Sequence, residues 1–216
     1  MTWRKRVAVM AIVALLVVPT FVPEMLLFPH QADSGAMSVY SEQPINQAAL
    51  DKITTRSATL TAASPIRAPE ERRTVFLTNG GWRWTWLALQ NRGAFAISRP
   101  GRETIVFNRS DVARDEVRNG RDVGGDRTLS ATLAHETCHG MLRRHFAIGF
   151  DWRRPAWLRE GYCDHVAQES SLSAAEAVRL KASGTAHPAL VYYDGRKKVS
   201  ATLAANGNDV DALFGG

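Results

Sequence analysis

Apolar residues fall along this chain in three rhythms, and each predicts a different kind of element. The first is an unbroken run. No charged residue occurs from Val7 to Val22, and only Glu24 interrupts the apolar character before Phe28. As one helix, Val7 to Phe28 would span about 33 Å, enough to cross a hydrocarbon core of about 30 Å. Arg4, Lys5 and Arg6 precede the run, a charge arrangement that retains the N-terminus in the cytoplasm and sends the rest across. A cleaved signal peptide with its apolar core at Val7 to Val18 is the competing reading. The nearest small-residue cleavage site, Ser34-Gly35-Ala36, lies far downstream, whereas Pro19 and Pro23 weaken a single helix. The balance predicts residues 1–28 as an N-terminal membrane anchor or signal peptide, 29–43 as a polar linker and 44–216 as an extracytoplasmic body.

The second rhythm is short and compact. "TVFLT" (74–78), followed by the turn residues Asn79-Gly80-Gly81, and "TIVFN" (104–108) read as strands. The third has the spacing of helices. Ile45, Ala49 and Ile53 share one face, and two prolines in "SPIRAPEE" break the segment. "WRWTWLALQNRG" alternates tryptophans like a strand but ends like a helix, and helix is the reading adopted. A short polar helix is expected near 111–118, and a long one from Thr128 to Phe146 after the Gly-rich "NGRDVGGDR". Another holds "PAWLREGYCDHVAQES". Ser173 and Glu176 form a capping box that starts a further helix ending by Gly184. From Pro188 one more helix runs to Asn206-Gly207, with a final turn at "DVDALF". Strands early and helices late give an α+β fold class, a small sheet followed by a helical body.

Composition adds little beyond this frame. With 216 residues and 45% hydrophobic content the chain can bury one good core. The net charge of +6 is spread as scattered arginines without a basic, aromatic-interleaved stripe, so nucleic acid is not an expected partner. In an oxidising compartment Cys138 and Cys163 could join as a disulfide; two buried thiols are the alternative.

The chemistry concentrates in "LAHETCHGM". His135 and His139 lie four apart, hence on one helix face, where both imidazoles can reach one ion. Glu136, one step round, can reach a water on that ion without being a ligand. Such a pattern arises by chance in roughly one chain of this kind in a hundred. A catalytic zinc needs a third protein ligand, and Glu160, twenty-one positions after His139, is the next candidate. Asp164 shares its face and can hold the outer nitrogen of His135. Isolated, Glu160 would read as solvated surface. Its apolar context and the histidine pair reverse that.

"HETCH" followed by "WLREGYCDHVA" resembles the gluzincin zinc metallopeptidases, the superfamily of thermolysin and the zinc aminopeptidases, and especially its small bacterial peptidase MA-like members. The resemblance runs from about Thr128 to Glu169. It implies a zincin-like catalytic domain, His135, His139 and Glu160 as zinc ligands, Glu136 as general base and Asp164 behind the ligands. "YYDG" is similar to the Y-x-x-G segment of the aminopeptidases, which implies that Tyr192 steadies the tetrahedral intermediate. The G-x-M-x-N segment that binds a substrate amino terminus is absent, so aminopeptidase specificity is not implied. Many relatives carry alanine where this chain has Cys163. The expectation is a membrane-anchored zinc peptidase acting on peptides or proteins outside the cytoplasm. The alternative is a non-catalytic envelope protein that binds a partner and holds a structural zinc. A zinc deaminase is excluded because P-C-x-x-C is missing.

Overall fold

The computed structural model describes residues 3–67, 72–99, 101–147 and 149–215. The chain opens with helix α1 (Trp3–Phe21), which contains Pro19 and gives way to a single 3-10 turn, Pro23–Leu26. This corrects the expected membrane helix and, with it, the membrane-anchored location. Among the described residues no helix is long and apolar enough to cross a membrane. The physical reason is length. Arg4, Lys5 and Arg6 occupy the first turn and the helix stops at Phe21, leaving an uncharged stretch of about 22 Å against the roughly 30 Å required. Past Phe21 the chain turns back onto the body, where Arg102 donates to the Phe21 carbonyl and pairs with Glu24 at 3.5 Å.

The body is α+β, built on a mixed sheet. Strands β1 (His30–Ser34) and β2 (Met37–Ser41) form a hairpin in the stretch read as irregular linker. Helix α2 (Gln47–Ala62), capped by Asn46, leads to β3 (Arg73–Thr78). The four residues 68–71 of "SPIRAPEE" lie outside the described residues. Helix α3 (Trp82–Ala88), β4 (Ala96–Arg99), β5 (Thr104–Asp111), β6 (Glu116–Arg118) and β7 (Asp126–Thr128) follow. The sheet order is β1-β2-β3-β5-β6-β7, with β4 antiparallel to β5. β2, β3 and β5 run parallel and are covered on both faces, which explains why "TVFLT" and "TIVFN" are apolar throughout rather than alternating. Val75, Leu77, Ile105 and Phe107 face α2 and the start of the next helix, whereas Phe76 and Val106 face Trp84 and Leu87 of α3. The expected polar helix near 111–118 is a turn followed by β6, because pairing with β5 and β7 outweighs the local polar pattern.

Helices α4 (Leu129–Phe146), α5 (Phe150–Arg153), α6 (Ala156–Ala167), α7 (Ala174–Ala182), α8 (Pro188–Ala205) and α9 (Val210–Phe214) complete the chain. α4 is the central element. Leu129 and Leu133 enter the sheet core, while Cys138 and Leu142 enter a helical core with Tyr162 of α6, Val199 and Leu203 of α8 and Phe214 of α9. α4 is thus packed against the sheet on one side and the other helices on the other.

Candidate metal centre

Two carboxylates from elsewhere in the chain fix the start of α4. Glu169 accepts from the backbone N–H of Thr128 at 2.9 Å and from its hydroxyl at 2.6 Å. Asp115 accepts from the N–H and hydroxyl of Ser130, both at 2.7 Å. Both anions sit where the helix exposes unpaired N–H groups and the positive end of its dipole. Because Glu169 stands two positions past the end of α6, it ties the end of one site helix to the start of the other.

A turn and a half along α4, His135 and His139 point toward α6. Their Nε2 atoms are 3.2 Å apart, and Glu160 Oε2 lies 3.3 Å from the first and 3.5 Å from the second. Two ligands at about 2.1 Å from one tetrahedral ion stand about 3.4 Å from each other. All three separations match that spacing. This group could hold a metal ion, each of the three residues offering one ligand atom.

What stands behind each ring differs. Asp164 Oδ1 sits 2.8 Å from Nδ1 of His135 and is itself 3.0 Å from Nη1 of Arg127. The face-sharing expected of Glu160 and Asp164 on one helix is therefore realised, and Arg127, a residue sequence reasoning passed over as loop, extends the chain of charge. Burial opposes a positive charge on His135, but the Asp164 and Glu160 contacts outweigh it and push its pKa up to about 10. Burial likewise works against charge on Asp164, yet Arg127 and His135 hold its carboxyl below the usual value. Glu160 is held well below the usual carboxylate range, burial being outweighed by the two histidines. His135 thus stands between two carboxylates, Asp164 at Nδ1 and Glu160 at Nε2, each of which favours its protonated form. A metal cation would take over that proton's neutralising role.

Behind His139 no carboxylate stands among the described residues. Its Nδ1 faces the sulfur of Cys163 at 3.8 Å, and Cys163 is joined to Cys138 in a disulfide that bridges α6 and α4. Of the two states left open by the sequence, the disulfide is the one present.

The centre opens into a cleft of about 590 Å³ lined by Glu136, Tyr192, Ala96 and Ser98 among others. Glu136 is buried on α4 and shares this cleft with the three ligand residues. Tyr192 stands on α8, partly exposed, with its phenol pKa raised by burial and by nearby Glu160. The glycine of "YYDG" has a clear reason: a Cβ on Gly195 would lie 2.5 Å from the Trp157 carbonyl oxygen, and one on Gly161 would lie 2.6 Å from the Gly195 carbonyl carbon. α6 and α8 thus cross backbone to backbone, one residue after Glu160 and three after Tyr192. The strand that flanks the cleft is β4; β5, the "TIVFN" strand, lies inside the sheet between β3 and β4. Beneath it, Arg143 pairs with Glu103 at 2.7 Å and Arg73 approaches the same carboxylate at 3.5 Å, a buried cluster that fits because residue 140 is glycine. His145 and His165 stay away from the ligand group, bonded to Asp211 and Ser200.

Comparison with protein-family models, curated proteins and solved structures finds no match for this chain.

Proposed function

We propose that the protein is a zinc-dependent peptidase. The observation that carries the reading is the convergence of His135, His139 and Glu160 at 3.2 to 3.5 Å beside Glu136 in an open cleft. Two imidazoles and one carboxylate are a donor set suited to zinc, and three protein ligands leave one position for water or substrate. When bound, zinc supplies a Lewis acid that acidifies water to a pKa of about 7 and polarises a scissile carbonyl. Glu136 then serves as general base, taking a proton from the attacking water and passing it to the departing amine nitrogen. Tyr192 donates its phenolic hydrogen to the carbonyl oxygen as negative charge develops there. The open edge of β4 offers backbone groups with which an extended peptide can pair.

Two ties argue against an ion kept only for folding. The helices that carry the ligands are already joined by the Cys138–Cys163 disulfide and clasped by Glu169. A structural zinc is usually closed by four protein ligands, whereas this site faces a cleft. The test measures zinc content by elemental analysis together with cleavage of a peptide library by the full chain. Glu136→Gln is expected to retain one zinc per chain and lose turnover by at least about a hundredfold. Normal cleavage by this variant would sink the mechanism, and unfolding on chelation would favour a structural ion instead.

A further inference from the structure

Arg121 lines the cleft from a glycine-built loop and has no part in the proposed catalysis. The segment "NGRDVGG" closes on itself: the N–H of Asn119 donates to the Gly125 carbonyl at 3.1 Å, and the N–H of Arg121 donates to Asn119 Oδ1 at 3.0 Å. Gly120 and Gly124 adopt φ values of +82° and +63°, and a Cβ on Gly125 would overlap the Arg121 carbonyl oxygen. Only glycine suits such positions without strain. This loop presents Arg121 to the cleft, where its guanidinium lies over Gly93; a Cβ there would stand 3.0 Å from Nη2. Two other arginines of the cleft are committed, Arg127 to Asp164 and Arg143 to Glu103. No carboxylate among the described residues pairs with Arg121. It is nonetheless close enough to Tyr192 to act on its phenol electrostatically, as is Arg159.

We propose that Arg121 binds a carboxylate of the substrate, so that the cleft selects peptides with an acidic group near the bond to be cut. Resting on the peptidase reading, this names its substrate class. A guanidinium offers a planar fork that matches a carboxylate with two parallel hydrogen bonds, and that geometry rewards an anion over its neutral isostere. The carboxylate can be an Asp or Glu side chain or a free C-terminus.

The test uses four penta-alanine probes labelled with an uncharged boron-dipyrromethene dye: one with both ends blocked, one with a free C-terminal carboxylate, one blocked with a central Glu, and one blocked with a central Gln. Their binding to the full-length Glu136→Gln protein is measured by anisotropy, and their cleavage by the wild-type chain in parallel. At least one acidic probe is expected to bind about tenfold tighter than its neutral counterpart. Whichever it is identifies the source of the carboxylate. In the Glu136→Gln/Arg121→Gln protein that ratio is expected to fall to about one, with an unchanged melting temperature because Arg121 is exposed. Equal binding of acidic and neutral probes, no binding of either acidic probe, or a ratio that survives Arg121→Gln would overturn the proposal. A charge preference without any cleavage would leave Arg121 standing and remove the peptidase reading. Cleavage without a charge preference would do the reverse.

Discussion

The two sides of the metal group solve one problem by different means. A histidine ligand needs its ring angle fixed and its outer nitrogen occupied. For His135 that task falls to a line of charge, Asp164 at 2.8 Å and Arg127 behind it at 3.0 Å. For His139 it falls to covalent packing, with the Cys163 sulfur at 3.8 Å and the disulfide drawing α6 onto α4. A carboxylate orients the ring and also strengthens it as a donor, whereas a sulfur mainly confines it. The first arrangement would act on the affinity for an ion held there, and the second on the fold.

Three substitutions separate these roles. Asp164→Ala is expected to have the largest effect, because it leaves Arg127 buried without its partner; about 3 to 5 kcal/mol of stability should go, together with zinc binding. Denaturant melts with and without zinc measure both. Next comes the Cys138→Ala/Cys163→Ala pair. The bridge spans 25 positions, so its loss costs about 3.5 kcal/mol by the chain-entropy account and lowers the melting temperature by about 10 °C. Zinc affinity is expected to change by less than about threefold, since no charge near the ligands is lost. Smallest in stability is Asp164→Asn, which keeps shape but not charge. It should weaken zinc by about ten- to a hundredfold in a chelator competition while the fold persists. If the cysteine pair and Asp164→Asn weaken zinc equally, the division of labour drawn between the rings is wrong.

The halves of the chain differed in how much they disclosed. From Thr128 onward, helices announce themselves through Ser173 and Glu176, Pro188, Asn206-Gly207 and the histidine spacing, all of them local signals. Glu160 and Asp164 were legible for the same reason, as a four-residue spacing on one helix. Before Thr128 the strands are short and their identity is settled by pairing. β1 and β2 are polar at many positions and were read as linker, and β6 exists because β5 and β7 flank it. The anchor reading failed on helix length, which hydropathy alone does not limit. Arg127 and Glu169 were missed because each acts across about forty positions, a distance no periodicity reports.

That reach gives Glu169 a consequence in time. Its carboxylate closes the first turn of α4 from 41 positions downstream, so α4 gains its full N-terminal cap only when α6 has been made and docked. The full anchoring of the histidine helix therefore rests on chain made well after it, at the end of the helix that carries Glu160.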